Sequence, residues 1–324
     1  MALPFVLTGA TGTGKTRIAL ELAERLGGEI VCADSRQLYR GLDVATGKPT
    51  AEERARVPHH GFDVLDPREP SSAGAYVRST RPQLERLAAA GTPALLVGGT
   101  GLYLRALHAG IAEVPDVPED VRARVRERLA DDGPDALHRE LALLDPKLAA
   151  RLAPADGQRV ARGLEVVLAT GRALTDWQDA RAGEPETWFW VALDRPRADL
   201  TEALAKRARG FFDDGLVREV ETLRAAGVPR EAPGFDALGY REALDVLDGT
   251  RTLEDAVALL TRHTVQYAKR QATWLRGEAR RVTVIFREFA RHESPGQVAR
   301  ELAERYEQKR GEIGLGAVSA RVSR

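Results

Sequence analysis

The sequence is most constrained by a glycine-rich stretch near its start, which reads Gly9-Ala10-Thr11-Gly12-Thr13-Gly14-Lys15-Thr16. This stretch fits the phosphate-loop pattern G-x-x-x-x-G-K-[ST]. An apolar run from Pro4 to Leu7 precedes it, and apolar residues at helical spacing from Ile18 to Leu26 follow it, so strand, turn and helix come in the required order. Such a loop directs backbone N–H groups and the positive end of a helix dipole at an anion. We therefore predict a diphosphate-binding loop, in which Lys15 adds charge and Thr16 offers a hydroxyl to Mg²⁺.

Composition narrows the class of protein. The chain of 324 residues has 43% hydrophobic residues, which is enough for two domains or for one large domain with an insertion. Lys plus Arg and Asp plus Glu both number 48, so any nucleic-acid surface must be local. The only cysteine, Cys32, excludes disulfides and a Cys-ligated zinc finger. No apolar run approaches the ~18 residues of a membrane span, so we expect a cytoplasmic protein without membrane contact.

Several short apolar runs predict the strands of a parallel sheet. After the strand before the loop, they are Glu29 to Ala33, Ala94 to Val97, Trp188 to Leu193 and Arg281 to Phe286. Helical patterns separate them, which is typical of strand–helix–strand units. We therefore predict an α/β fold, with a phosphate-loop NTPase-like parallel sheet core that is flanked by helices.

Asp34 directly follows the second of these strands. Open parallel sheets bind ligands outside the carboxyl ends of their strands, which is also the edge that carries the phosphate loop. We therefore expect Asp34 to lie within reach of the bound diphosphate. The alternative role is an N-cap for the next segment, with Ser35 as a rival cap, and the two roles are compatible.

The strand that ends at Val97 lacks the aspartate that a phosphate-loop ATPase or GTPase uses to hold Mg²⁺, and is followed by Gly98 and Gly99 instead. A loop of this type alone would indicate nucleotide or ATP binding. The missing aspartate favours a diphosphate that departs as a leaving group. We also expect the two glycines to leave room for a second substrate.

From residue 118 to residue 187 the pattern becomes helical, without a long strand-like run. We predict a helical insertion domain at 118–187, an α/β core formed by 1–117 and 188–310, and a mobile tail at 311–324. The insertion carries arginines that either contact phosphates or form a solvated face with acidic partners such as Glu119, Glu127 and Glu165, and composition leaves both possibilities open. These arginines are Arg122, Arg124, Arg126, Arg128, Arg159 and Arg162.

Two further stretches have open interpretations. Arg262 to Trp274 mixes basic and aromatic residues, which indicates either single-stranded nucleic-acid binding or an ordinary amphipathic helix. His59 and His60 form a histidine pair, but adjacent side chains point apart, so we expect a hydrogen-bonded loop there and no metal site.

Together these stretches resemble the tRNA dimethylallyltransferases, also called tRNA isopentenyltransferases. The resemblance is nearly collinear over the whole chain. Besides the phosphate loop, the residues that carry it are Asp34-Ser35-x-Gln37-x-Tyr39, Pro58-His59-His60, Val97 to Tyr103, Arg162-x-Leu164-Glu165-Val166, Gly239-Tyr240 and Ala268-Lys269-Arg270-Gln271-x-Thr273-Trp274. There are two departures: the family's Gly-Pro-Thr opening is Gly9-Ala10-Thr11 here, and its Asp-Ile-Gly-Thr-Ala-Lys-Pro segment is Asp43 to Pro49 with Ala45 and Gly47. The second departure puts in doubt a fine role for that loop.

The resemblance implies transfer of a dimethylallyl group from dimethylallyl diphosphate to N6 of the adenosine immediately 3′ of the anticodon. In this scheme the loop, Lys15, Thr16 and Mg²⁺ hold the diphosphate, Arg207 adds a cation, and Asp34 is the general base. The partner is then the anticodon stem-loop of a tRNA, and we expect the protein to be a monomer, because no clear oligomerisation signal is present.

The resemblance also implies which residues contact tRNA, and it favours function for three of the insertion's arginines. The implied contacts are Asp34, Ser35, Arg36, Gln37, Thr100, Arg122, Gln158, Arg159, Val160, Ala161 and Arg162.

Three alternatives remain at the level of sequence. A small-molecule kinase would use the loop for ATP and the insertion as a lid. An isopentenyltransferase acting on free adenine nucleotides would not need so large an insertion. A non-catalytic RNA-binding module would not need a diphosphate loop beside a carboxylate.

Overall fold

The computed structural model describes residues 3–112, 114–180 and 187–322, and for 315–322 it describes the backbone alone. The chain divides into two compact units. The first comprises Met1–His108 and Glu186–Arg324, and the second is Ala109–Pro185. The insertion was placed at 118–187 from the sequence, and its residues 181–186 lie outside the described residues.

A parallel sheet forms the centre of the first unit, as predicted. Within the described residues it has six strands in the order β3-β2-β4-β1-β5-β6, all paired in parallel. Their bounds are β1 Phe5–Gly9, β2 Glu29–Cys32, β3 His59–His60, β4 Ala94–Val97, β5 Phe189–Asp194 and β6 Val284–Glu288. The last strand begins three residues later than the sequence pattern suggested.

The histidine pair forms a short strand, β3, and not the loop that the sequence predicted. His59 and His60 pair with Ile30 and Val31 as a short edge strand. The side chains use local partners: His59 Nδ1 lies 2.8 Å from the Val57 carbonyl oxygen, and His60 Nε2 lies 2.6 Å from Glu29. The pair therefore extends the sheet.

Helices surround the sheet and build the second unit. In chain order they are α1 Lys15–Leu26, α2 Ala51–Arg56, α3 Ala73–Ala89, α4 Gly101–Ala109, α5 Glu119–Asp131, α6 Gly133–Leu144, α7 Pro146–Ala149, α8 Gly157–Thr170, α9 Leu174–Asp179, α10 Arg197–Asp213, α11 Leu216–Ala225, α12 Tyr240–Leu247, α13 Leu253–Glu278 and α14 Pro295–Val322. The residues 311–322 of the predicted mobile tail are helical, and 323–324 lie outside the described part of the chain. No helix within the described residues combines the length and the apolarity that crossing a bilayer requires.

Both faces of the sheet are buried at its centre, which explains why β1, β2, β4 and β5 are mostly apolar. Helices α1 and α14 cover one face, where Ile18 and Leu302 pack with Leu7 of β1. Helices α3 and α4 cover the other, where Leu104 packs with Trp190 of β5. The strand ends are thereby left as the accessible edge of the sheet.

Helices α10 to α13 form a further core within the first unit. Phe212, Leu216, Tyr240 and Leu260 are all buried there, together with Tyr39 from the segment after β2. This core therefore ties the loop after β2 to the helices that follow β5.

The second unit has a core of its own. Val125 of α5, Leu141 of α6 and Leu164 of α8 are buried together. Its buried carboxylate, Asp145, accepts hydrogen bonds from the N–H groups of Leu148 and Thr175, each at 3.0 Å. The polar group is therefore satisfied, as burial requires.

At Gly98 the end of β4 lies against the end of β2. A Cβ atom at this position would lie 2.1 Å from the carbonyl oxygen of Ala33, which follows β2. A contact this short with backbone cannot be relieved by a side-chain rotation, so glycine is required for β2 and β4 to end side by side.

We expect Gly98→Ala to destabilise the protein by about 1–3 kcal/mol, because the added methyl group forces the two strand ends apart. Urea unfolding followed by tryptophan fluorescence measures this. Gly277→Ala is the matched control, since it lies in helix α13 and a Cβ atom there would have no other atom within 4 Å. That change should be neutral or stabilising by up to about 1 kcal/mol. Equal stability of the two variants would contradict the tight packing.

Candidate active site

The phosphate loop joins β1 to α1 as the sequence predicts. Gly14 is the N-cap of α1 with a φ of 89°, which favours glycine, and α1 begins at Lys15. Thr13 is buried and donates its hydroxyl to the Ala10 carbonyl oxygen at 2.9 Å, which fixes the curvature of the loop. The first N–H groups of a helix have no partner within the helix, so the start of α1 offers donors to an anion.

A cavity of about 840 Å³ opens in front of the loop. It is built from the carboxyl edge of the sheet together with α10 and α13. Ten of the predicted site residues line it: Thr11, Gly12, Gly14, Lys15, Thr16, Asp34, Ser35, Arg36, Gln37 and Arg207. Gly9, Ala10 and Thr13 do not line it; they form the rest of the turn, with Ala10 packed beside Leu204 of α10.

Asp34 is half-buried in this cavity wall directly after β2. Its Oδ1 accepts a hydrogen bond from the Arg36 backbone N–H at 2.9 Å, which closes a local turn. Within the described residues, the segment that follows Asp34 is a turn and the next helix is α2, so the alternative role as a helix N-cap is wrong. Thr100 lies behind this turn, where its Oγ1 accepts from the Ser35 N–H at 2.9 Å.

Lys15, Asp34 and Arg207 are close enough to act on one another electrostatically. Burial in the cavity wall lowers the pKa of Lys15 to about 8, the charge of Asp34 opposes that shift, and Arg207 adds to it. Burial likewise lowers the pKa of Arg207, and Asp34 again opposes the shift. In this structure the Lys15 ammonium group donates to the Gly9 and Ala10 carbonyl oxygens at 3.0 and 2.8 Å. Two cations therefore stand beside a carboxylate at the mouth of a phosphate loop.

Arg195 is a cavity residue to which the sequence assigned no role. It follows β5 directly, donates to the Gly12 carbonyl oxygen at 3.3 Å and lies over the ring of Phe289 at 5.9 Å. Its Nε atom is buried and, among the described residues, without a hydrogen-bond partner. Arg17 and Arg270 also line the cavity. The position of Arg195 at a strand end on the carboxyl edge was a signal that could have identified it.

The segment Asp43 to Pro49 forms another wall of the cavity. Gln37 Nε2 donates to the carbonyl oxygens of Thr46 and Gly47 at 3.0 and 3.1 Å. Gly47 has a φ of 60°, and a Cβ atom there would lie 2.1 Å from Arg207 Nη2. Glycine at 47, a departure from the pattern of the resembling family, therefore gives Arg207 its present position.

Polar contacts from Glu219 hold the start of this segment. Glu219 accepts the backbone N–H groups of Asp43 and Val44, both at 3.1 Å, and the Tyr240 hydroxyl at 2.6 Å. Burial raises the pKa of Glu219 despite these donors. Gly239 and Tyr240, a motif without an assigned role in the sequence, therefore support the cavity wall.

The basic and aromatic stretch Arg262 to Trp274 lies on α13, where one face packs and the basic Arg262, Lys269 and Arg270 are exposed. Trp274 covers Gly101, where a Cβ atom would lie 2.4 Å from the indole. Tyr267 lines the cavity, and burial raises its pKa to about 12. One face of the stretch therefore packs and lines the cavity, and Trp274 packs against Gly101.

The structure also tests the prediction that the glycines after β4 leave room for a second substrate. The space beside Gly98 is filled by Ala33, and a Cβ atom at Gly99 would lie 2.2 Å from Gln271 Nε2. These glycines therefore admit protein atoms, and the prediction that they leave room for a second substrate is wrong.

The donor set in the cavity is compatible with Mg²⁺. Among the described residues no group of three or more His, Cys, Asp or Glu side chains could hold a metal alone. Thr16 and Asp34 nevertheless line the cavity beside the helix N-terminus. Proteins commonly bind Mg²⁺ through one or two side chains while substrate phosphates and water complete the shell, so the Thr16 hydroxyl fits the ion.

The second unit carries the predicted tRNA contacts of the insertion. Gln158, Arg159 and Arg162 are exposed, whereas Val160 and Ala161 are buried in the unit's own core. The exposed side chains of the predicted stretch are therefore those of Gln158, Arg159 and Arg162. Each of the six arginines lies within 4.0 Å of a carboxylate in the same unit, as in the pairs Arg159–Asp156 and Arg162–Glu165, both at 3.3 Å.

Comparison with known proteins gives a consistent result. The model of the family described as IPP transferase matches residues 37–278, and that of isopentenyl transferase matches residues 3–58. A tRNA dimethylallyltransferase of Koribacter versatilis is 46% identical over 280 residues, which is 85% of this chain and 90% of that protein.

Comparison with solved structures gives the same family. The tRNA isopentenylpyrophosphate transferase of Bacillus halodurans is 33% identical, with a TM-score of 0.70 over 97% of this chain and all of that one. A eukaryotic dimethylallyltransferase acting on tRNA has a TM-score of 0.75 over 88% of this chain and 74% of that one, and at 24% identity it supports the fold alone.

The lowered pKa of Lys15 predicts how diphosphate binding depends on pH. With a pKa of about 8, Lys15 is mostly charged at about pH 7 and mostly neutral at about pH 9, so its contribution to affinity is lost as the pH rises. The ratio of wild-type to Lys15→Met affinity for inorganic diphosphate should fall about tenfold between about pH 7 and about pH 9. Titration calorimetry measures it, and the titration of diphosphate itself cancels in the ratio.

Lys15→Arg is the matched variant for this measurement, because a guanidinium group stays charged across that range. Its affinity ratio to Lys15→Met should stay constant. A constant ratio for the wild type as well would contradict the assigned electrostatics.

Proposed function

The chain belongs to the IPP transferase family and is a tRNA dimethylallyltransferase, and we propose how its residues carry out the transfer. The acceptor is N6 of the adenosine immediately 3′ of the anticodon, and the donor is dimethylallyl diphosphate. The observation that supports this scheme most directly is the meeting of Lys15, Asp34 and Arg207 in one cavity at the phosphate loop. The scheme needs an anion-binding group and a base in one place, and this cavity supplies both.

The leaving group is held by the phosphate loop. Backbone N–H groups at the start of α1 bind the diphosphate oxygens, and Lys15 turns from the loop carbonyls toward the added anion. Arg207 and Arg195 contribute two more cations from α10 and from the end of β5. As the bond between C1 and the bridging oxygen breaks, its electron pair stays on the diphosphate, and these donors stabilise the developing charge.

Thr16 is the residue of this chain that would hold Mg²⁺ together with diphosphate oxygens. When bound, the ion adds positive charge next to the leaving group.

Asp34 serves as the general base. The N6 lone pair forms the new bond to C1, and the N6 proton passes to the Asp34 carboxylate. The turn closed by the Arg36 N–H occupies Oδ1 and fixes the orientation of the carboxylate. The dimethylallyl chain has apolar surroundings within reach, because Leu204, Phe211 and Leu260 line the same cavity.

The acceptor base must leave its stack to reach this cavity. Extrusion costs a few kcal/mol, and less from a loop than from a duplex. Arg36 and Arg270 line the cavity and are suited to contact the phosphates of an extruded nucleotide. In the second unit the exposed Arg159 and Arg162, with Gln158, are the proposed contacts to the rest of the anticodon stem-loop.

The kinase and free-nucleotide alternatives do not fit the relatives, which are tRNA dimethylallyltransferases over more than four fifths of this chain. Ligand preference tests the donor. Dimethylallyl diphosphate with Mg²⁺ should raise the thermal unfolding midpoint by more than ATP with Mg²⁺ at the same concentration, because stabilisation grows with affinity for the folded state. Equal or greater protection by ATP would favour a kinase.

Removal of the base tests the mechanism. Asp34→Asn should keep tRNA affinity within a few fold and reduce the single-turnover rate by about 10²–10⁴-fold. The assay follows labelled dimethylallyl diphosphate into unmodified tRNA and identifies the modified nucleoside. Asp194→Asn is the control, because this exposed carboxylate ends β5 at the same edge and does not line the cavity. A near wild-type rate for Asp34→Asn would remove Asp34 from the role of base.

A further inference from the structure

Gln271 connects two parts of the active site that are far apart in sequence. It lies on α13 and is 7% exposed. Its Oε1 accepts a hydrogen bond from the Thr11 backbone N–H at 2.8 Å, and its Nε2 donates to the Gly99 carbonyl oxygen at 3.0 Å. One side chain therefore bridges the phosphate loop and the turn after β4.

The two contacts require a side chain that accepts a hydrogen bond at one end and donates one at the other. Thr11 presents a donor and Gly99 presents an acceptor, so only a group with an acceptor at one end and a donor at the other satisfies both. The packing is equally specific, since a Cβ atom at Gly99 would lie 2.2 Å from Gln271 Nε2. Glycine at 99 and glutamine at 271 are therefore matched to each other.

The connection continues from Gly99 to the general base. The next residue, Thr100, donates its N–H to the Ala33 carbonyl oxygen at 3.1 Å and accepts the Ser35 N–H at 2.9 Å. These two contacts hold the backbone on both sides of Asp34. An unbroken series of hydrogen bonds and peptide links thus runs from the loop that binds the leaving group to the residue that takes the proton.

We propose that Gln271 is a positioning residue that fixes the distance between the phosphate loop and the Asp34 segment. The inference rests on the proposed function, because that distance matters only if diphosphate and base act on one transfer. Nucleophile, carbon and leaving oxygen must be aligned in the transition state, and a displacement of about 1 Å can cost about 10²-fold in rate. Gln271 adds a side-chain connection between the two walls beyond the backbone pairing of β1, β4 and β2.

The first experiment separates positioning from folding. Gln271→Met keeps the length of the side chain and loses both hydrogen bonds. We expect kcat for tRNA prenylation to fall about 10–100-fold while the KM for dimethylallyl diphosphate changes less than about threefold. Glu278→Gln is the matched control: Glu278 is buried on the same helix, is ion-paired with Arg105, and lies outside the cavity.

Both variants should lower the thermal unfolding midpoint, and only Gln271→Met should lower kcat. Equal kcat values in the two variants, measured at a temperature where both are folded, would overturn the proposal. The wild-type enzyme in the same assay tests the proposed function separately, since absence of prenylated tRNA from wild type would overturn that function and not the role of Gln271.

A second variant uses protonation to restore the bridge. In Gln271→Glu one oxygen of the ionised carboxylate can still accept the hydrogen bond from the Thr11 N–H. The other oxygen then faces the Gly99 carbonyl oxygen, and the two repel each other because neither carries a proton. Protonation of this buried carboxyl group gives it an O–H that donates to Gly99. The kcat ratio of Gln271→Glu to wild type should therefore rise as the pH falls from about 8 to about 6, and a flat ratio would contradict the need for the donor.

The pairing of positions 99 and 271 gives an independent test. Gly99→Ala displaces Gln271 and should reduce kcat at least about tenfold in the wild-type background. In a Gln271→Ala background the methyl group has space, so Gly99→Ala should cost less than about twofold more. Additive losses in the double variant would overturn the coupling.

Discussion

Parallel pairing of β1 with both β4 and β5 is the constraint on which the rest of the structure depends. It directs the carboxyl ends of these strands, and of β2, to one edge of the sheet. The phosphate loop, Asp34 and Arg195 each follow one of those ends, so residues distant in sequence share one cavity. Neither the diphosphate site nor the base could act alone, because the transfer requires both within the length of one prenyl donor.

Glycine residues, which have no side chain, determine how closely these loops approach one another. A Cβ atom at Gly98 would meet Ala33 at 2.1 Å, and one at Gly47 would meet Arg207 Nη2 at the same distance. Gly47 lets the segment Asp43 to Pro49 lie against Arg207, and Gly98 lets the ends of β2 and β4 lie side by side. At both glycines the space is filled by other atoms of the same chain. The free volume for substrates lies in front of the phosphate loop. Polar side chains such as Gln271 and Glu219 then connect neighbouring loops by hydrogen bonds.

The positive charges in the cavity are suited to bind a diphosphate leaving group. Lys15 and Arg207 are partly desolvated, and burial lowers the pKa of each, which means that the free site holds positive charge at a cost in stability. Binding of a diphosphate offsets that cost. Asp34 moderates the shifts of both groups, so the base also helps to keep the cations charged.

Much of this arrangement was evident from the sequence alone. The phosphate loop, the strand before it and Asp34 were all predictable, because loop glycines, strand polarity and the carboxyl-edge rule are local or topological properties. The family resemblance added Arg207, which no local pattern distinguishes from other helical arginines.

Tertiary structure alone decided the role of residues whose partners are distant in sequence. Sequence could not show that Val160 and Ala161 are buried, that His59 and His60 extend the sheet, or that Gly99 is matched to Gln271. Contacts of this kind depend on which helix face meets which loop after the chain has folded. The sequence therefore determined the chemistry that the site contains, and the packing of α10 and α13 on the loops determined its geometry.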